Sequence, residues 1–119
     1  MINKKVLHGL VIMVFGLMCF AGTAQASVDV AVAKIERIGP DPRFKNESSS
    51  GVMVQLTDTS ANSAWPGVRQ FYLSAALGNT GVATLLTAFS LGETVWVRIG
   101  GAAEPGSLIS IIFVNAPAQ

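Results

Sequence analysis

Residues 78–99 read GNTGVATLLTAFSLGETVWVRI, and the change of period inside this stretch decides how the whole chain is read. Val82, Leu85, Leu86 and Phe89 fall at i, i+3, i+4 and i+7, the spacing of one apolar face of an α-helix. Gly92 stands where a left-handed residue stops such a helix, and Asn79 or Thr80 is placed to cap its start. Immediately afterwards the period drops to two. Val95, Val97 and Ile99 alternate with Thr94, Trp96 and Arg98, as in a half-buried strand. A helix of about three turns is marginal alone in water, so its stripe, Leu86 included, is expected to be buried against a sheet.

Working outward, strand patterns flank the helix on both sides. Upstream, VRQFYLSAA (68–76) places Phe71, Leu73 and Ala75 inward and Tyr72 and Ser74 outward. GVMVQLTD (51–58) alternates Val52, Val54 and Leu56 with Met53, Gln55 and Thr57. The connection between them, TSANSAWPG, carries a Trp-Pro-Gly corner, and the two strands are expected to pair antiparallel across it. SVDVAVAKIERIG (27–39) begins in strict alternation with Val28, Val30 and Val32, then slips to Ile35 and Ile38. Period two tolerates that slip only with a bulge or bend near Ala33-Lys34. GPDPRFKNESSS (39–50), with two prolines, a glycine and three serines, reads as a loop. Its Asn46-Glu47-Ser48 triplet reads as a polar loop tip rather than a glycosylation acceptor. Downstream, GGAAEPG turns the chain, and SLISIIFVN (107–115), apolar on both faces, reads as a largely covered fifth strand.

The first 26 residues have another character. Lys4 and Lys5 form a basic head, Leu10 to Ala21 carries no charge, and Ala24-Gln25-Ala26 supplies a small-x-small cleavage pattern. The apolar run falls short of the roughly 20 residues a membrane span needs. Cys19 follows Gly16-Leu17-Met18, and bulky Met18 fits a lipoprotein signal poorly. We therefore expect a signal peptide over 1–26 and one exported domain over 27–119, periplasmic or secreted from a bacterium, with no stable membrane span after cleavage. Cleavage removes the only histidine, His8, and the only cysteine, Cys19. Residues 27–119 then lack the groups for Ser-His-Asp or Cys-His catalysis, for a Cys/His zinc site and for a disulfide. They hold six basic and seven acidic side chains. The acids lie scattered among loops and element ends, in no spacing that suggests a glycosidase pair or a calcium loop. Neither GxGxxG nor GxxxxGK[ST] occurs. No enzyme activity, cofactor or metal is expected. A net negative domain also argues against nucleic acid, which needs a basic groove. A domain this small has a thin stability margin. Without disulfides it must rely on a dense core, on self-association, or on both.

The order strand, strand, strand, helix, strand, strand, with a bent first strand, fits a mainly β fold. It is the five-stranded OB-like barrel with one short helix between strands three and four. A small α+β sheet with a helix across one face is the competing arrangement. ATLLTAFSLGETVWVRI (83–99) resembles the helix-to-strand passage in B subunits of AB5 toxins, especially the subtilase-cytotoxin type. There a Leu-Leu helix ends in glycine and runs into a V-x-V or V-R-I strand. The chain is also similar to short exported bacterial proteins of unassigned function, in which an aromatic strand like RQFYLS precedes the same helix. The resemblance covers roughly residues 52–114 and supports the fold more than a function. The toxin subunits usually carry a disulfide, which this chain lacks, and no sugar-contacting motif transfers residue by residue.

Five side chains are candidates for binding: Trp65, Arg69, Tyr72, Trp96 and Arg98. Trp65-Pro66-Gly67 reads as a turn packing its ring on the rim, or as an exposed tryptophan platform with Arg69 supplying charge. A turn tip reverses the chain outside the core, so Trp65 and Arg69 are expected at the surface. Tyr72, Trp96 and Arg98 occupy outward strand positions and form one patch if their strands are neighbours. Such a patch serves a glycan or protein partner or a homo-oligomer, or is ordinary packing of Arg98 along the Trp96 ring. The function expected is an exported, non-catalytic binding module for a glycan, envelope component or protein partner. The alternative is a small structural or accessory protein that only self-associates.

Overall fold

A computed structural model describes residues 26–117. The expected signal peptide lies outside these residues, apart from Ala26. The element order is β1 (Ser27–Lys45), β2 (Ser49–Asp58), β3 (Val68–Ser74), a single 3-10 turn (Ala75–Leu77), α1 (Gly78–Leu91), β4 (Val95–Gly100) and β5 (Leu108–Val114). The molecule is mainly β, with one five-stranded sheet and one short helix after strand three and before strand four. The strands join in the order β1-β2-β3-β5-β4, and β4 returns to β1, so the sheet closes in a ring.

Closure depends on β1 serving two neighbours. Its first part pairs with β4, from Ser27↔Gly100 to Ala33↔Val95. From Ala33 onward it pairs with β2, from Ala33↔Asp58 to Lys45↔Ser50. Ala33 therefore touches both partner strands. The bend expected at Ala33-Lys34 falls slightly earlier, at a register shift between Val30 and Ala33, and a second shift comes between Ile35 and Arg37. The first shift turns Val32 out, against the even alternation expected for Val28, Val30 and Val32. Val30, Ala33 and Ile35 are buried, and Val32 is exposed. A bulge inserts one residue and flips the face of the residues after it.

The segment 39–50, expected to be a loop, is instead the far end of β1, a tight turn and the start of β2. Pro40 pairs with Val52, and past Ala33 β1 has, among the described residues, a strand neighbour on one side only. A residue without an N–H is tolerated on such an open edge. The turn is tied by Asn46, whose Oδ1 accepts the N–H of Ser48 and of Ser49, both at 2.8 Å. The Asn46 N–H donates to the Ser49 carbonyl at 3.0 Å.

The core fills the ring. Val54, Leu56, Phe71, Leu73, Val95, Val97, Ile99 and Ile109 are fully buried, as the strand alternation requires. Helix α1 packs on β5, β1 and β3, but through a different face from the one the spacing suggests. Gly81, Leu85 and Ala88 are buried, Val82 is half-buried, and Leu86 and Phe89 are exposed. Small residues at 81 and 88 bring the helix backbone close to the sheet. A Cβ at Gly81 would stand 2.6 Å from Leu77 Cβ and 3.3 Å from a Leu73 methyl. Neither Asn79 nor Thr80 caps the helix. Its N-cap is Leu77, without a side-chain bond, because the chain enters from the 3-10 turn that Ser74 Oγ caps at Ala76 N–H. The helix ends at Gly92, left-handed at φ 69°, as the sequence indicates.

Candidate functional site

Trp65 is buried, 2% exposed, which corrects the surface expectation. The connection from β2 to β3 folds back across the open end of the ring, away from the end where β3 leads into α1. Trp65 drops into the core there, edge-on to Phe71 at 4.8 Å between centroids. Its indole N–H donates to the Leu56 carbonyl at 3.1 Å. Asp58 holds this connection. Its carboxylate accepts Ser60 N–H at 3.0 Å, Ser60 Oγ at 2.5 Å and Ala64 N–H at 2.7 Å. Burial pushes the Asp58 carboxyl up, but the Ser60 hydroxyl, the Ala64 N–H and the Ser60 N–H outweigh it and hold it below the usual range. A carboxyl depressed on folding stabilises above its unfolded pKa, near 3.9, and loses that contribution as pH falls through the folded value. Asp58→Asn should therefore flatten the acid limb of stability below about pH 4, measured by urea midpoints across pH. An unchanged acid limb would separate Asp58 from the Trp65 connection.

Arg69 is half-buried and structural. Its Nη1 donates to the carbonyl of Ala103 at 2.9 Å. Ala103 lies in the β4–β5 loop, fully buried, with φ 55°. The left-handed region is unfavourable for a residue with a Cβ, so this ion-to-carbonyl bond helps fix a strained loop. Gly106 N–H to the Gln70 carbonyl, at 2.8 Å, ties the same loop to β3.

Tyr72 points away from the core as expected, yet it is only 4% exposed. The end of β1 folds over it. Phe44 stacks on its ring at 4.7 Å, and the phenol donates to Asp41 Oδ2 at 3.2 Å while accepting from Gln70 Nε2 at 2.7 Å. Arg43 bonds both Asp41 oxygens, at 3.0 and 3.1 Å, and holds that carboxyl below its usual range. Burial pushes the Tyr72 phenol up, so it stays protonated and donating. Beside this group opens a cleft of about 230 Å³ lined by Phe44, Asn46, Ser48, Ser49, Tyr72, Gly106 and Leu108. Phe44 remains 46% exposed above it. Asn46 spends only its Oδ1 on the turn, which leaves its Nδ2 to offer.

Trp96 and Arg98 lie on the outer face of β4. Arg98 makes a two-point bond to Asp29, at 2.7 and 3.0 Å, and its guanidinium sits 5.8 Å from the Trp96 centroid. Their cross-strand neighbours on β5 are Phe113 and Ile111, with Phe113 5.6 Å from Trp96 and 61% exposed. β5 is thus open on its outer face, not largely covered. The five candidates do not form one patch. Trp96 and Arg98 belong together, Tyr72 stands under Phe44 across β5, and Trp65 and Arg69 are built into the end of the ring that the β2–β3 connection covers. The sequence reading misses Phe44 and Phe113. The first sits in the proline-rich stretch read as a loop, and the second in a strand apolar on both faces. The RF-K-N run after two prolines and the F-V ending of β5 are the available signals.

Among the described residues no group of three or more His, Cys, Asp and Glu side chains stands together, and no helix is long and apolar enough to cross a membrane. No protein-family model, curated protein or solved structure matches the chain.

Proposed function

We propose that this protein is an exported, non-catalytic binding module with an OB-like fold, and that it takes a sugar ring of an envelope or surface glycan at the Phe44–Tyr72 cleft. One observation carries the reading. The cleft is bounded by the β1–β2 turn, the outer side of β3 and the β4–β5 loop. In OB folds the face of strands two and three, flanked by those same two loops, is where oligosaccharides and oligonucleotides bind. The chemistry suits a sugar. A sugar ring presents one C–H face to an aromatic ring and its hydroxyls to the sides. Here Phe44 offers the ring, and Asn46 and Ser48 line the cleft with it. The domain has one more acid than base among residues 27–119, which disfavours a phosphate backbone. Three of the carboxylates are engaged in structural bonds: Asp29 with Arg98, Asp41 with Arg43 and Tyr72, Asp58 with the loop below Trp65.

A glycan array tests the reading, followed by titration of the best sugar into wild type and Phe44→Ala. Loss of the stacking ring should weaken binding at least tenfold, about 1.4 kcal/mol, with the melting temperature moved by no more than a few degrees. If no sugar registers on the array, the glycan reading falls and the alternative of a protein that only self-associates stands.

A further inference from the structure

We propose that the open edge of β5 and the adjoining outer face of α1 are covered by a second copy of this chain, in a two-fold dimer whose β5 strands pair antiparallel.

The edge comes from the register. β3 meets β5 only at Tyr72↔Leu108 and Leu73↔Ile109, so beyond Ile109 β5 has β4 on one side and no strand of this chain, among the described residues, on the other. Asn115 N–H bonds the Thr94 carbonyl at 3.0 Å. That bond sets the phase of the β4–β5 ladder. Trp96↔Phe113 and Arg98↔Ile111 turn their backbone groups toward each other, and the N–H and C=O of Ile112 and Val114 point off the free edge. An unpaired row of this kind is a template for another strand.

The surface beside the edge is apolar. Gly78–Leu91 contains no charged residue, yet Leu86, Phe89 and Leu91 are 47%, 44% and 68% exposed. Thr80, Thr84, Thr87 and Ser90 share the helix surface, but large apolar side chains left open side by side mark an interaction surface. Only Gly92 and Glu93 separate Leu91 from Thr94, which holds Asn115, so the end of α1 lies next to the end of β5. Phe113 adds roughly 100 Å² of open ring. With Val114 and the three helix side chains the area comes to several hundred Å² per copy, within reach of the roughly 800 Å² per partner of a stable interface.

The hydrogen-bond pattern selects the occupant. Run antiparallel to itself, this edge is self-complementary: Ile112 of one copy faces Val114 of the other, both pairs of outward groups are satisfied at once, and Phe113 faces Phe113 across the two-fold axis. A two-fold interface uses the same patch twice, and its side chains Leu86, Phe89, Leu91, Phe113 and Val114 are uncharged, with half-buried Glu93 beside them.

Sedimentation of the exported chain tests the pairing. Wild type should sediment as a dimer at micromolar concentration. Val114→Pro removes one outward N–H without touching the β4 ladder, and Leu91→Glu places a charge on the helix end. Each should give a folded monomer by circular dichroism. Phe113→Cys should cross-link to itself on oxidation, because opposite residues at a non-hydrogen-bonded position stand about 4.5 Å apart at Cα and the chain has no cysteine after Cys19. A monomeric wild type, a ring of three or more copies, or a dimer that survives Leu91→Glu overturns the proposal. Because Leu91 is outside the core, that variant decides the matter even if Val114→Pro does not fold. Sugar binding at the Phe44 cleft is independent of all these outcomes.

Discussion

Trp65→Ala is expected to abolish cooperative folding, or to leave a transition so shifted that little native protein persists at 37 °C. Removing a buried tryptophan costs about 3–5 kcal/mol in lost transfer energy and residual cavity. The substitution also strands the Leu56 carbonyl, which the indole N–H satisfies at 3.1 Å, at a further cost of about 1–3 kcal/mol. Domains of this size hold a net stability near the lower end of about 5–15 kcal/mol, so the loss is comparable with the whole. Trp65→Phe separates the two contributions. It keeps most of the ring against Phe71 and removes the bond, and should fall between wild type and alanine. Urea midpoints give the order. A Trp65→Ala protein within about 1 kcal/mol of wild type would mean that the ring does not close the core.

The helix supplies the second large effect, and it turns on two adjacent leucines. Leu85→Asp places an unpaired carboxylate in a fully buried site on the helix face that packs against the sheet, which costs several kcal/mol and should unfold the domain. Leu86→Asp, one residue on, lands on a side chain already 47% exposed, and the protein should still unfold in a single cooperative transition. Thermal melts followed by circular dichroism distinguish them. If both variants unfold, or if neither does, α1 is not seated through Gly81, Leu85 and Ala88.

That contrast shows where the sequence is legible. In β2, β3 and β4 the apolar residues alternate without ambiguity, so Val54, Leu56, Phe71, Leu73, Val95, Val97 and Ile99 are placed inward correctly. Helix α1 is apolar on more than one face, and periodicity alone cannot say which stripe turns in. The deciding sign is the smallness of Gly81 and Ala88, which lets the backbone approach, and not the bulk of Leu86 and Phe89. Pro40 and Pro42 read as loop because proline spoils a central ladder. They are tolerated here since β1 is one-sided at that point, a property of the ring and not of the local residues.

The site is less legible than the fold, again for physical reasons. Trp65 is expected outside because a chain reversal usually is. In a closed ring, however, an open end must be stoppered, and the β2–β3 connection does this with its largest side chain. Asp58 with Ser60 two residues on is the local hint that the connection folds on itself. Tyr72 is placed on the correct face, but its cover comes from Phe44 and Asp41, some thirty residues earlier in the chain. No pattern of spacing announces such a contact.

The double service of β1 also orders events in time. β1, β2 and β3 are sequential neighbours joined by short connections, so their pairing closes small loops and can form early. The stretch from Ser27 to Ala33 has no such neighbour. Its partner, β4, ends at Gly100, and a gap that long is closed slowly. Under the export proposed above, that segment would cross first and be locked last. Until β4 arrives, it is a loose strand with both edges bare, open to any chaperone or protease that meets it.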